Sequence, residues 1–180
     1  MAETFEQYID RMLALAGAVD PLERLSQTGP RIATLVAART DGQLRWVPAP
    51  DRWSVAEIVA HLADCEIVAG YRVRMILSAS GTPLQAFDQN AWARGLDYKN
   101  QDTFASLALF QALRRSLLTL LRSLDDEQLD RFGMHPERGK ETVRHLMRLY
   151  AGHDVNHLQQ IERLLEAQDR TGREREPADF

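Results

Sequence analysis

Trp53-Ser54-Val55-Ala56-Glu57-Ile58-Val59-Ala60-His61-Leu62-Ala63-Asp64-Cys65-Glu66 opens the most sharply defined helix of the chain. Ser54 and Glu57 make an S-x-x-E capping box, in which each side chain answers an orphaned backbone N–H of the first turn. Trp53, just before the cap, is placed to staple onto Ile58. The apolar spacing predicts a helix from Ser54 to about Ser78, ended by Ser80-Gly81-Thr82-Pro83. At about 100° per residue, His61 falls in one stripe with Ile58, Cys65, Val68 and Met75, and Asp64 lies at its edge.

Working outward, helical periodicity recurs and strand alternation does not. Thr4 to about Val19 reads as a first helix, interrupted at Asp20-Pro21. Leu22 to Ala38 continues in helical style, with Gly29-Pro30 expected to kink or break it. Asp41 to Asp51 is a connector. After the second long helix, Asp88 is placed to cap a short helix holding Trp92, and Thr103 to Leu124 forms a third long one. Asp125 to Asp130 adds a turn and Arg131 to Lys140 a loop. Thr142 then caps a fourth helix running to about Gln168. The expected fold is an all-α four-helix bundle over residues 22–168, with a helical extension at 1–21 and a polar, frayed tail at 169–180.

Bulk composition narrows the classes of function. A chain of 180 residues with 44% hydrophobic and 27% charged content is long enough for one domain with a real core. A net charge of −4, with arginines scattered beside acids, argues against nucleic acid as a partner. The single cysteine, Cys65, allows no intrachain disulfide and fits a reducing compartment. No basic segment followed by an apolar run opens the chain, and no uninterrupted apolar stretch reaches the roughly 20 residues of a bilayer span. A soluble, cytoplasmic protein without a membrane partner is expected.

Chemistry concentrates on the fourth helix. His153 and His157 stand one turn apart, a spacing that lets two imidazoles share one divalent transition metal. Both fall inside the stripe of Leu146, Leu149, Tyr150, Ile161 and Leu164, with Asn156 and Gln160 beside them. A single inward histidine is more often a satisfied core residue than a ligand. Three of them, with His61, on two core-facing helices would carry a desolvation cost, or repel one another when protonated, and a bound metal removes that difficulty. Cys65 is either a fourth ligand or a small buried hydrophobe, and the second reading is favoured. Asp64 is a candidate to orient a ligand imidazole, or a surface ion-pair partner. Arg114 and Gln111 fall in the third helix's apolar stripe. Arg114 either holds an anionic substrate or snorkels at the bundle's end. His135 and His145 read as structural or exposed. No H-E-x-x-H, Walker-type or G-x-G-x-x-G motif is present.

These stretches, with Phe87-Asp88-Gln89-Asn90-Ala91-Trp92 and His135-Pro136-Glu137-Arg138-Gly139, together resemble the DinB/YfiT-like superfamily, from about Leu22 to Leu165. The resemblance implies a bundle with a crossover connection and a metal held by His61, His153 and His157. It implies nickel, zinc or iron as the ion and a homodimer as the assembly. It also implies either a hydrolase or a transferase using a bacterial low-molecular-weight thiol, with a small-molecule substrate. Some members carry a histidine where this chain has Glu66, so a ligand at that position does not transfer.

Three protein ligands would leave the ion open to water or substrate. Hydrolysis or S-transfer would follow, with Arg114, Asn156 or the Asp88–Trp92 segment shaping the pocket. The absence of a convincing general base tilts the sequence reading toward a thiolate. The rival is a non-catalytic stress-response bundle that binds a metal or small molecule.

Overall fold

The computed structural model describes residues 3–173, and residues 1–2 and 174–180 of the expected extension and tail lie outside the described residues. Eight α-helices are laid down in order: α1 (Phe5–Ala16), α2 (Pro21–Val36), α3 (Asp41–Leu44), α4 (Val55–Ser78), α5 (Gln89–Gly95), α6 (Thr103–Arg122), α7 (Asp126–Asp130) and α8 (Val143–Arg173). The caps foreseen at Ser54, Asp88 and Thr142 are in place. The Ser54–Glu57 box is complete, with Ser54 Oγ accepting from the Glu57 N–H at 3.2 Å and Glu57 Oε2 accepting from the Ser54 N–H at 2.8 Å.

The bundle proper is α2, α4, α6 and α8. Helix α2 packs against α6 and α8, and α4 packs against the same two, so α2 and α4 face each other across one diagonal and α6 and α8 across the other. Only the connection from α4 to α6 joins neighbours; the other two cross the bundle. Helix α1 lies along the outside of α8. It ends at Gly17, whose φ of +64° is a left-handed turn open to glycine, earlier than the expected Val19. The approach to α8 is so close that a Cβ on Gly152 would sit 1.7 Å from the Met12 carbonyl oxygen.

The structure departs from the sequence reading at three places. Helix α2 runs through Gly29-Pro30 because its flank is gripped: Gln111 Nε2 lies 3.3 Å from the Gly29 carbonyl and donates to it. Packing overrides the local breaker. The expected loop at 131–140 contains a hairpin. β2 (Phe132–His135) pairs antiparallel with β3 (Gly139–Thr142) and parallel with β1 (Thr82–Pro83), the order being β1-β2-β3. Strands of four residues or fewer show too few alternations to be read from periodicity. Helix α8 continues past Gln168 to Arg173, with Asp169 held to Arg39 at 2.5 Å. Helix α6 is long and apolar enough by composition to cross a membrane, although polar residues interrupt its apolar run. It is a bundle helix that carries Arg114 and Gln111 among its leucines.

Two apolar clusters fill the interior. One gathers Met12, Val73, Leu117, Leu121 and Leu146; the other gathers Ile32, Ile58, Leu62, Phe110 and Ile161. Each long helix contributes one half to each cluster. Between them, at the level of residues 61–66 of α4 and 153–157 of α8, lies a buried polar layer.

Candidate metal centre

The polar layer has a charged half and an imidazole half. In the charged half Arg114 of α6 is 4% exposed, and Glu66 of α4 and Asp154 of α8 are 2% exposed each. Its guanidinium donates from Nε and Nη2 to the two Glu66 oxygens, both at 2.8 Å, and from Nη1 and Nη2 to Asp154 at 2.6 and 3.2 Å. A fifth bond runs from Nη1 to the Leu25 carbonyl of α2 at 2.8 Å. All five N–H donors are thereby used, and one side chain ties together the four helices of the bundle. Thr28 of α2 adds a hydroxyl to Asp154 at 2.7 Å. Burial pushes the Glu66 carboxyl up from its ordinary range, and Arg114 opposes that shift.

The imidazole half is next to it. His61 Nε2 lies 3.3 Å from His153 Nε2, which lies 3.1 Å from His157 Nε2. Cys65 Sγ is 3.4 Å from His61 Nε2. Two metal–nitrogen bonds of about 2.0–2.1 Å at a tetrahedral angle put their nitrogens about 3.3 Å apart, so the spacing fits a shared ion. A hydrogen-bonded chain fits less well, because one Nε2 of His153 faces two others and can exchange a proton with one of them at a time. Donor atoms of His61, Cys65 and His153 all lie within 4.8 Å of one another.

Electrostatics keep these donors available. Burial lowers the pKa of His61 to about 3, with the His157 charge contributing, and that of His157 to about 4, against a hydrogen bond to Gln160 that raises it. His153 is lowered well below its usual value, again chiefly by desolvation. All three rings are neutral at pH 7, the state that carries a lone pair for a metal. Burial pushes the Cys65 thiol up, with the charges of Glu66 and Asp154 adding to it. Gln160 Oε1, 3.1 Å from His157 Nδ1, accepts that proton and leaves Nε2 as the free donor atom. His153 Nδ1 is buried without a partner, so packing alone orients that ring. Trp53 lies with its ring 5.0 Å from that of His61.

His61, Cys65 and His153 line a cavity of about 620 Å³. Its walls come from α1 (Phe5, Tyr8), the segment Ala86–Asn90, the hairpin residues His135, Glu137 and Arg138, Arg72 of α4 and Tyr150 of α8. His157 is not among the lining residues.

Several residues singled out from the sequence stand elsewhere. Arg114 neither reaches the cavity nor snorkels: it is enclosed by Glu66 and Asp154. Glu66 therefore faces Arg114, away from the donor atoms. Asp64 does not orient a ligand imidazole; it accepts from the Tyr98 hydroxyl at 2.5 Å. Asn156 accepts from Arg11 Nη1 at 2.8 Å and so ties α8 to α1. Asp88 lines the cavity while its carboxylate caps α5, accepting from the Asn90 and Ala91 N–H groups. Trp92 packs against Phe87, 4.8 Å between rings, and steadies that wall from behind. His135 is 3% exposed and faces the cavity instead of solvent. Arg72, Tyr150 and Tyr8 were missed. For Arg72 the signal was present, since it follows Cys65 by seven residues and shares its helix face.

Known proteins resemble the chain in sequence and in fold. "Putative metal-dependent hydrolase YfiT" of Bacillus subtilis is 31% identical over 145 residues, covering 79% of this chain and 81% of its own. A second protein with the name "Putative metal-dependent hydrolase", from Oceanobacillus iheyensis, is 31% identical over 117 residues, 65% of this chain and 67% of its own. The solved structure of B. subtilis YfiT, described as "a probable metal-dependent hydrolase with an unusual four-helix bundle topology", superposes with a TM-score of 0.75 at 28% identity, covering 95% of this chain and 91% of that one. The DinB superfamily profile matches residues 24–161, from α2 through the whole histidine cluster, and the chain belongs to that superfamily.

Proposed function

We propose that the chain is a divalent-metal-dependent enzyme acting on a small molecule, with His61, His153 and His157 as protein ligands and hydrolysis as the reaction class. The observation that carries this reading is the convergence of three imidazoles, with His153 Nε2 3.3 Å from His61 Nε2 and 3.1 Å from His157 Nε2, beside an open cavity that His61 and His153 line. The names of the relatives support it. Imidazole donors suit zinc, nickel or iron. When bound, such an ion supplies Lewis-acid chemistry and acidifies a water or thiol beside it.

The chain's own residues do the rest. Gln160 fixes the tautomer of His157, and desolvation keeps all three rings unprotonated. The walls from α1, the Ala86–Asn90 segment and the hairpin limit access to one side. One feature favours S-transfer from a small thiol as a second reading. Among the described residues, Glu137 of the lining stands exposed on the hairpin, and the acids nearest the cluster are engaged, Asp64 by Tyr98 and Asp154 and Glu66 by Arg114, so none of these three is free to act as general base. A thiol that ionises at the site needs none.

The test is metal content. Protein purified without chelator or affinity metal should hold near-stoichiometric transition metal, and His153→Ala should lose it. Cobalt(II) added to metal-free protein should give the strong visible bands of a low-coordinate site. Wild-type protein that neither retains a metal nor takes up cobalt refutes the reading. On the loaded protein, turnover of small esters or amides selects hydrolysis, and conjugation of a small thiol to an electrophile selects transfer. Metal without either turnover supports a binding module.

A further inference from the structure

Arg72 is buried, only 4% exposed, and forms no ion pair among the described residues. Its Nη2 donates to the Gln85 carbonyl at 2.5 Å, and its Nε has no partner at all. The other deeply buried guanidinium among the described residues, that of Arg114, has two carboxylates for one charge. A buried, unpaired cation is costly, and Arg72 lines the cavity that holds His61, Cys65 and His153.

Its neighbours sharpen the deficit. His135 Nδ1 lies 3.2 Å from the backbone N–H of Glu137, which donates to it. His135 Nε2 lies 3.4 Å from Arg72 Nη2. A neutral imidazole has one accepting nitrogen. With Nδ1 accepting, Nε2 carries the proton, and an imidazole N–H and guanidinium N–H groups converge with no acceptor between them. Burial holds this ring neutral, lowering its pKa to about 4, and the Arg138 and Arg72 charges push the same way against Glu141. The Tyr150 hydroxyl, also on the cavity wall and near enough to feel the Arg72 charge, is buried without a well-formed hydrogen bond. Arg138 is not part of this deficit, because Glu141 takes it at 2.7 and 3.1 Å. Of the acids on the walls, Glu3 pairs with Arg11, Asp88 caps α5, and Glu137 is exposed on the hairpin and makes no ion pair with Arg72. Three groups from α4, the hairpin and α8 thus face the cavity with donors to spare: the Gln85 carbonyl takes one Nη2 proton, the Tyr150 oxygen is within reach of the guanidinium, and Arg72 Nε has no partner.

We propose that Arg72, His135 and Tyr150 form an oxyanion-binding subsite in the cavity of the histidine cluster, and that the substrate presents a carboxylate or phosphate group to it. The subsite stands on its own donors; the identification of its occupant as the substrate rests on the metal-enzyme reading above. Arg72 Nε and Nη2 offer the parallel donors that an oxyanion accepts side-on, with the His135 and Tyr150 protons completing its coordination. Tyr150 precedes His153 by one turn of α8, so a group held here is adjacent to the ligands.

The experiment uses metal-free and metal-loaded wild-type protein, titrated with inorganic phosphate and, in a second arm, with acetate. The assigned Nε–H resonance of Arg72 reads occupancy directly, and calorimetry gives the affinity. A saturating shift of that resonance in either arm is expected in both metal states, and the stronger arm names the anion. Arg72→Met should weaken binding at least about 10-fold, as loss of a charge-assisted pair does, with melting temperature unchanged or raised, since an unpaired buried charge is removed. Tyr150→Phe should weaken it less. A merely structural Arg72, pinning the Gln85 carbonyl, predicts the reverse: lower melting temperature and no anion effect. An Nε–H resonance that ignores both anions overturns the proposal, as does equal affinity in Arg72→Met. Anion binding in protein that takes up no metal would leave the subsite standing and remove the metal reading alone.

Discussion

Arg114→Met removes a cation that two buried carboxylates share. Five hydrogen bonds go with it, and Glu66 keeps none of its observed partners while Asp154 keeps the Thr28 hydroxyl. Breaking a buried pair from one side costs about 3–5 kcal/mol, because the surviving charge stays desolvated. Here two survive, and protonation of Glu66, whose pKa burial already raises, relieves part of the cost. The expected loss is therefore about 3–5 kcal/mol out of a total stability of roughly 5–15. At about 2–4 °C per kcal/mol for a chain of this size, the melting point should fall by roughly 6–20 °C. Urea unfolding, followed by tryptophan fluorescence and far-ultraviolet circular dichroism, measures it. The triple variant Arg114→Met/Glu66→Met/Asp154→Leu removes all three charges and should recover at least half of the loss. A cost below about 1 kcal/mol, the value of an exposed pair, would refute the reasoning, as would a triple variant no better than Arg114→Met.

Three further outcomes are expected. Gly152→Ala should displace α1, since its Cβ would meet the Met12 carbonyl oxygen at 1.7 Å; overpacking of about 1–3 kcal/mol or more should appear as faster amide exchange across Phe5–Ala16, and unchanged exchange there would contradict the contact. Cys65→Ala should keep near-stoichiometric metal, because burial holds the thiol protonated; loss of metal would make the site a closed four-ligand one instead of an open one. Metal-free protein should lose stability on acidification: His61 and His157 titrate near 3 and 4 when folded but near 6.5 when unfolded, so the unfolded chain binds more protons between those values and stability falls as pH drops through that window. At pH 5 the loss is roughly 2 kcal/mol per histidine, and a flat stability profile from pH 7 to pH 5 would contradict buried neutral rings.

How much of this was written plainly in the chain depends on the range over which each feature acts. The caps at Ser54, Asp88 and Thr142 are decided within four residues, and they sit where the sequence places them. The inward stripe carrying His61, His153 and His157 follows from helical spacing, and the fold brings those three rings together. The hairpin at Phe132–Thr142 is different: its strands gain stability by pairing with Thr82–Pro83 and packing on α4, neither of which is local. Arg114 shows the same limit from the other side. Its inward position was legible, but its role depended on Glu66 and Asp154, 48 and 40 residues away, arriving together.

The two halves of the polar layer explain each other. A bundle core that must hold three neutral imidazoles gives up apolar packing at its middle, where α4, α6 and α8 would otherwise interdigitate. Arg114 restores the link there by bonding from α6 to the three other bundle helices at once, and it does so by absorbing the two acids near the histidines in sequence, Glu66 and Asp154. Those acids are thereby kept from hydrogen bonding to the rings, which remain neutral and free to present Nε2. Structural clamp and candidate centre are thus one device, and this makes a specific demand. The conservative variant Arg114→Lys keeps the charge but has three donors for five acceptor contacts, so it should free one acid toward the histidines. In metal-free protein the imidazole resonances of His153 and His157 should then titrate at higher pH than in the wild type. Titration at the wild-type values, in a variant that remains folded, would show that the clamp and the centre are independent.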